Sequence, residues 1–235
     1  MLEATLQTLE AAQTQIMRLE ENMEALLTDW QMRPMVEALM GMRGFALVGA
    51  MVIVSELGDA WRFEHPRQLM AYLGLVPTEP SRGIGGEIDA VKRSPQGDCG
   101  ERSRSHQSSS GSKRRQGAIS KTGNCHARWI MIEASHHYRL EPGISPQLSK
   151  RQEGLSDEVK ACAWKAQTRL HKRMKQLLAR GKQRNKVQVA VARELTGFVW
   201  QMFKIMSRKM VVSVKESKPS TPSKGAKVME LVEAL

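Results

Sequence analysis

Apolar residues recur every seven positions along the first thirty residues of the chain. One row holds Leu2, Leu9, Ile16, Met23 and Trp30, and a second holds Leu6 and Leu27 but is interrupted by Gln13 and Glu20. This heptad spacing predicts one helix over residues 2–30 and is typical of a coiled coil. An amphipathic helix packed on its own domain would show the same pattern. We expect self-association through this helix, with the intramolecular alternative open.

A helix, a glycine-containing turn and a second helix are predicted between Met35 and Gly58. This outline is that of a helix-hairpin-helix, in which the amides of the turn hold a DNA phosphate, so Gly44 is a candidate nucleic-acid contact. The usual turn has two glycines around an apolar residue, whereas Ala46 follows Phe45 here. An ordinary pair of packed helices explains the pattern equally well.

Further helices follow from the spacing of apolar residues. Pro66 fits the first turn of a helix that Gly74 closes, and Ser145 to Ser156 is expected to be a polar turn. The remaining helical ranges are 127–138, 157–179 and 186–206. The helix over 157–179 carries cations opposite its apolar face, namely Lys165, Arg169, Lys172, Arg173 and Lys175. No strand pattern emerges, so the predicted fold class is mainly α.

Five segments are expected from these patterns. They are a coiled-coil helix (1–30), a helix-hairpin-helix-like unit (31–79), an inserted disordered loop (80–108), a serine and basic loop followed by helices (109–206), and a basic disordered tail (207–235). The loop prediction rests on a composition of Gly, Ser, Arg and Pro with very few apolar residues.

Charge is distributed unevenly along the chain. Residues 1–80 hold five Lys or Arg against eleven Asp or Glu, whereas residues 81–235 hold 31 against 13. A basic region of this size favours a polyanion, most often nucleic acid, through release of counterions. A basic surface without a partner is the alternative.

Other classes of function find little support in the sequence. The three cysteines are widely spaced and form no metal knuckle, so a reducing cytoplasmic setting is expected. No apolar run is long enough to span a membrane. His126, His136 and His137 lack a clear third ligand, and we predict no metal site in this chain. Trp129, Trp164 and Trp200 lie beside apolar residues and are expected in the core rather than stacked on bases.

One stretch carries candidate chemistry. Residues 109–128 combine the adjacent pair Ser109 and Ser110 with several cations and glycines. A hydroxyl among fixed cations is what phosphodiester chemistry requires, because cations hold the phosphate that the hydroxyl attacks. A flexible basic loop has the same composition.

Several short motifs follow one another along the chain in an order that is specific enough to support a family resemblance. They are Val36-Glu37-Ala38-Leu39, Ser55-Glu56-Leu57-Gly58-Asp59, Pro66-Arg67-Gln68-Leu69, Ala71 to Pro77, Ser109-Ser110-Gly111, Lys113 to Gly117, Lys121-Thr122-Gly123-Asn124 and His126-Ala127-Arg128. Together they resemble the C-terminal transposase domain of the insertion sequence 110/116/902 family of bacterial DEDD transposases.

That resemblance implies a mechanism and partners. In the family, an N-terminal domain of RNase H fold carries four acidic residues that bind a divalent metal such as Mg²⁺, and a coiled coil links it to the C-terminal domain. There, a serine before a glycine attacks DNA and forms a phosphoserine link. The partners implied are DNA, a structured guide RNA in part of the family, and further copies of the same chain.

Carried over to this sequence, the resemblance assigns roles to particular residues. Ser110 is the candidate nucleophile, with Ser109 as the fallback. The candidate nucleic-acid contacts are Gly44, Gly111, Lys113, Arg114, Arg115, Lys121, Asn124 and Arg128. Since the chain starts at the coiled coil, we expect the acidic domain and its metal to be missing, and the chain to be inactive alone. About thirty residues also separate the Pro77 motif from Ser110, where the family has only a few.

Three hypotheses therefore remain. The chain is a DNA-binding transposase fragment, an intact serine transposase, or a catalytically inactive nucleic-acid-binding helical adaptor.

Overall fold

The structure is a computed structural model that describes residues 2–58, 62–77 and 119–216. These residues form a mainly α fold, as predicted, and the described ranges include no β-strand beyond one isolated antiparallel bridge between Pro77 and Ile119. The α-helices are α1 (Leu2–Asp29), α2 (Arg33–Met40), α3 (Leu47–Leu57), α4 (Pro66–Tyr72), α5 (Cys125–His136), α6 (Pro146–Gln152), α7 (Asp157–Ala179) and α8 (Arg184–Glu216). A short 3₁₀ helix, His137–Arg139, follows α5.

Helix α8 lies at the centre of the core, where it packs against α2, α4, α5 and α7. The residues predicted to face inward are all buried: Val187, Val191, Leu195, Phe198, Val199 and Met202. Each such side chain contributes about 1.5–3 kcal/mol of hydrophobic free energy relative to an exposed one. The helix continues to Glu216, ten residues beyond its predicted end at Met206.

Helix α1 is a single helix of 28 residues, which confirms the helix predicted from the heptads. None of its residues is buried, and only Leu27 and the following Trp30 pack against the core. Leu2, Leu9 and Ile16 are more than half exposed. The coiled coil itself stays a prediction. None of the helices in the described ranges is long and apolar enough to cross a bilayer.

The polar turn expected between Ser145 and Ser156 was wrong, because helix α6 occupies most of it. The hydroxyl of Ser145 accepts a hydrogen bond from the amide of Leu148 at 3.2 Å, and Pro146 occupies the first turn. A serine cap before a proline is an ordinary helix start. Buried Leu148 and Gln152 then anchor α6 on the core.

Two of the three tryptophans expected in the core are exposed instead. Trp129 is 61% exposed and Trp164 is 46% exposed. On α5 the buried positions are 127, 131, 134 and 135, so Trp129 lies on the opposite face. Trp164 likewise lies outside the buried stripe of α7. Trp200 is half-buried, and its indole N–H donates to the carbonyl oxygen of Phe63 at 2.9 Å.

Candidate nucleic-acid interface

The structure brings three of the predicted site residues together at the start of α5. Lys121, Asn124 and Arg128 lie in the turn before this helix and in its first turn. We call residues 119–128 the α5 entry segment. The predicted nucleophiles and several cations lie outside the described residues: Ser109, Ser110, Gly111, Lys113, Arg114 and Arg115, together with the whole of 80–108.

Backbone hydrogen bonds fix the α5 entry segment to the chain that follows α4. The amide of Ser120 donates to the carbonyl oxygen of Val76 at 2.9 Å, and the amide of Lys121 donates to that of Gly74 at 3.2 Å. The amide of Asn124 also donates to the carbonyl oxygen of Tyr72. The turn is therefore held in place by groups that are distant in sequence.

Two glycines allow the backbones to approach this closely. Gly74 and Gly123 both have positive φ, at 65° and 113°. A Cβ at Gly74 would meet the carbonyl oxygen of Thr122, and one at Gly123 would meet that of Tyr72. Since most side chains tolerate neither this backbone region nor such contact, both motifs require glycine.

The side chain of Arg128 stabilises the turn before α5 through hydrogen bonds to backbone carbonyls. Its Nη1 lies 3.1 Å from the carbonyl oxygens of both Leu73 and Lys121 and donates to them. Lys121 is the only non-glycine residue in the described ranges with positive φ, at 53°. The hydrogen bond from Nη1 of Arg128 stabilises the unfavourable backbone conformation of Lys121. The side chain of Lys121 is exposed.

Asn124 connects α5 with α3. Its Oδ1 accepts a hydrogen bond from the amide of Ala127 at 2.9 Å, which caps the helix, and its Nδ2 donates to Oε2 of Glu56 at 2.5 Å. The other carboxylate oxygen of Glu56 is 3.8 Å from Nδ1 of exposed His126. Tyr72 donates its hydroxyl to the carbonyl oxygen of Glu56. Glu56 therefore organises the entrance of α5.

Gly44 does not join this group. It lies in the turn between α2 and α3 with φ of 96°, and a Cβ there would come within 2.5 Å of the carbonyl oxygen of Ala134. Ala134 lies ten residues beyond Asn124, which corresponds to about 15 Å along the helix. The neighbouring carbonyls of Gly41 and Phe45 accept hydrogen bonds from Gln152 and Arg151 of α6. The turn is thus packed between two helices.

The α5 entry segment has the means to bind an anion. The amino-terminal end of a helix carries a partial positive charge, and Lys121 adds a full one beside it. Glu56 offsets part of this charge, and pairs with His126 when the imidazole is protonated. Exposed Trp129 lies on the same face of α5 as His126, one turn further along. The segment therefore offers a cation, a helix end and an aromatic ring.

Glu56 and Trp129 are the site residues that sequence reasoning missed. Glu56 is separated from Asn124 by 68 residues, and nothing local in the sequence marks the contact. Trp129 could have been found by counting from buried Ala127 and Met131, which place position 129 on the outer face.

No metal centre is formed by the side chains that the structure describes. Among them, no group of three His, Cys, Asp or Glu residues could hold an ion. The buried thiol of Cys162 is also poorly suited to nucleophilic attack, because burial raises its pKa.

Two comparisons with known proteins, one with a family model and one with a related protein, both indicate a transposase. Residues 36–85 match the sequence model described as Transposase IS116/IS110/IS902 family. The chain is 39% identical over 186 residues to a protein of Sinorhizobium fredii (strain NBRC 101917 / NGR234) named "Putative transposase y4qE". That alignment covers 77% of this chain and 40% of the relative, so the chain spans less than half of the relative's length. No solved structure matches significantly.

Proposed function

Because the chain belongs to the IS116/IS110/IS902 transposase family, we propose that it binds DNA as part of an insertion-sequence transposase and contributes the serine of strand exchange. The observation that supports this proposal most directly is the anchoring of the α5 entry segment. Backbone hydrogen bonds tie it to Tyr72, Gly74 and Val76, within the segment matched by the family. Ile119 is the first residue of the α5 entry segment, and only eight residues separate it from Ser110. The serine is therefore linked by a short stretch of chain to a segment that hydrogen bonds hold in place.

The proposed reaction is a phosphoryl transfer to Ser110. The hydroxyl oxygen of Ser110 forms a bond to the phosphorus, the bond from phosphorus to a deoxyribose oxygen breaks, and the departing oxygen takes up a proton while the serine loses one. One phosphodiester bond replaces another, so a free DNA hydroxyl can reverse the step. We propose that Lys113, Arg114, Arg115 and Lys121 neutralise the phosphate. The helix-hairpin-helix-like turn at Gly44 would be a second contact with the DNA backbone.

A divalent metal is implied by the family resemblance, in an acidic domain separate from this one. The described carboxylates do not fit that role, since no three of their donors converge and Glu56 is bound by Asn124. We therefore assign no metal-dependent step to these residues. On this proposal the chain binds DNA alone and needs the acidic domain for cleavage.

Two partners complete the proposal. The exposed heptad row of α1 would pair with that of a second copy, because leucine and isoleucine side chains at the seam are left in water by the single chain. A structured guide RNA is the second partner. From Lys160 to Arg193 the chain has eleven Lys or Arg and no Asp or Glu, which favours a further polyanion beside the DNA.

The test uses the full chain and nicked duplexes that carry an insertion-sequence end, with Mg²⁺ and an acidic family domain added in trans. We expect a protein–DNA adduct that survives denaturing electrophoresis, is abolished by Ser110→Ala and persists in Ser109→Ala. The Ser110→Ala variant should bind the duplex as the wild type does. Binding without any adduct would favour the helical adaptor, and an absence of binding would overturn the proposal.

A further inference from the structure

Trp164 exposes a large aromatic surface on the outer face of α7. The side chain is 46% exposed, although the neighbouring Cys162, Ala163 and Ala166 are buried. Thr168, one turn further along the helix, is also exposed. Tryptophan is enriched at interfaces, where the apolar face of the ring packs against a partner.

Two lysines lie on the exposed side of α7 that carries this tryptophan. Lys165 and Lys172 are exposed on the same face of α7, and neither forms a salt bridge within the described ranges. Lys172 lies eight residues beyond Trp164, which is about 12 Å along the helix. The face therefore presents a ring at one end and positive charge along its length.

The edge of this face is held by Glu194 of α8. Its carboxylate pairs with Nε of Arg169 and lies 3.8 Å from Nε of Arg173. Glu194 is less exposed than either arginine. Two of the cations are thereby fixed in position, whereas Lys165 and Lys172 keep their charge available for a partner. We call Trp164, Lys165, Thr168 and Lys172 the α7 face, and Arg169 and Arg173 lie along its border with α8.

We propose that the α7 face binds an unpaired nucleic-acid strand, with a base stacked on Trp164 and phosphates on Lys165 and Lys172. A tryptophan among cations is the arrangement that proteins use for single strands, because every base has a π face and every linkage has a charge. A duplex would engage the lysines but could not offer a base, since its bases are already stacked. A protein partner fits less well, because lysine is depleted from protein interfaces.

This inference extends the nucleic-acid binding of the proposed function and does not require chemistry at Ser110. The face is on α7, whereas Lys121 and Asn124 lie at the start of α5, so the two surfaces can be changed separately. Loss of single-strand binding with retention of the Ser110 adduct would then identify the α7 face as a distinct surface.

The test measures fluorescence anisotropy of the full chain with labelled dT12, U12 and a 12-base-pair duplex of mixed sequence. We expect Trp164→Ala to weaken single-strand binding about tenfold, Trp164→Phe to retain most of it, and duplex binding to change little. Leu140→Ala, which removes another exposed apolar side chain, should have no effect. Tighter binding of U12 than of dT12 would identify RNA as the ligand, and equal binding would include unpaired DNA.

Salt dependence tests the lysines. Replacing Lys165 and Lys172 with alanine should reduce the slope of log K against log salt by about 1.4 for single strands, whereas Lys150→Ala on α6 should not change it. The proposal would be overturned if Trp164→Ala bound single strands like the wild type. Equal weakening of single-strand and duplex binding would also contradict it, once circular dichroism had shown that the variant is folded.

Discussion

Asn124 and Glu56 form a hydrogen bond of 2.5 Å that joins the start of α5 to the last turn of α3. The same asparagine caps α5 through its other side-chain atom. One side chain thus satisfies a backbone amide and fixes a carboxylate 68 residues away. This contact adds to the backbone hydrogen bonds that hold the α5 entry segment in place.

Replacing Asn124 with aspartate should separate these two roles. Aspartate retains the acceptor for the amide of Ala127, but it places a second carboxylate against Glu56, and like charges at this distance repel. We expect a loss of about 1–2 kcal/mol in the free energy of unfolding at pH 7, measured by urea denaturation. The loss should diminish as the pH falls and one of the two carboxylates takes up a proton.

The double variant Asn124→Asp with Glu56→Gln is the matched control. In this double variant the carboxylate is at position 124 and the amide at position 56, so the contact again pairs one amide with one carboxylate. Most of the lost unfolding free energy should therefore return. If the single variant were as stable at pH 7 as at pH 4 relative to the wild type, charge repulsion at this contact would be excluded.

Gly44 is predicted to be indispensable for packing. Alanine there would meet the carbonyl oxygen of Ala134 at 2.5 Å and would have to adopt φ of 96°. We expect Gly44→Ala to cost more than about 2 kcal/mol of unfolding free energy. Gly154 provides the comparison, because it also has positive φ, at 76°, but has nothing within 4 Å of the methyl group that alanine would add. Gly154→Ala should cost only about 1 kcal/mol in thermal or urea denaturation.

Tyr138 should make the fold sensitive to alkali. Burial raises the pKa of its hydroxyl above the ordinary value of about 10, because the anion would lose its hydration. Since the folded state holds this proton more tightly than the unfolded state, the stability is fully present below about pH 9 and falls as the pH rises further. Urea denaturation at pH 8, 10 and 11 measures this fall.

Tyr138→Phe removes that sensitivity. The buried hydroxyl has no hydrogen-bond partner among the described residues, so its loss should stabilise the protein by up to about 1 kcal/mol at pH 8. The difference between the variant and the wild type should then widen as the pH increases. A parallel decline of the two proteins would show that Tyr138 does not control the alkaline limit.

The seam of α1 should determine the oligomeric state. Leu9 and Ile16 are more than half exposed in the single chain, and glutamate at both positions would place charge inside a coiled coil. We expect this double variant to be monomeric in analytical ultracentrifugation at concentrations where the wild type is a dimer or larger. Thr14→Glu, on the outer face of the predicted coiled coil, should leave assembly unchanged. A wild type that is monomeric at every concentration would contradict the prediction of a coiled coil.

Periodicity predicted most of the fold because the helices of the core bury one face each. The range of α7 was predicted to the residue, whereas α8 was predicted over 186–206 and runs from Arg184 to Glu216. Helix α6 was missed because seven residues give little period, although Ser145 and Pro146 marked its start. Trp129 and Trp164 differ from the prediction because burial depends on the angle of a side chain around the helix and not only on apolar neighbours in sequence.

The spatial grouping of the candidate site residues could be predicted only where the motif is local, and their contact with DNA stays a prediction. Lys121, Asn124 and Arg128 belong to one short segment, and the structure places them together. The contact of Asn124 with Glu56 depends on how α3 meets α5, which no local pattern contains. Arg128 was predicted to contact phosphate, whereas the structure shows its Nη1 bound to two backbone carbonyls; the phosphate contact stays a prediction.

The position of α8 has a consequence for biosynthesis. Helices α2, α4, α5 and α7 all pack on α8, which is the last described element to be translated. Their apolar faces therefore have no common partner while the ribosome is still making the chain, a period of about 10–50 s at about 5–20 residues per second. We expect the core to close only after α8 has left the exit tunnel, which makes the nascent chain a substrate for chaperones and proteases until then.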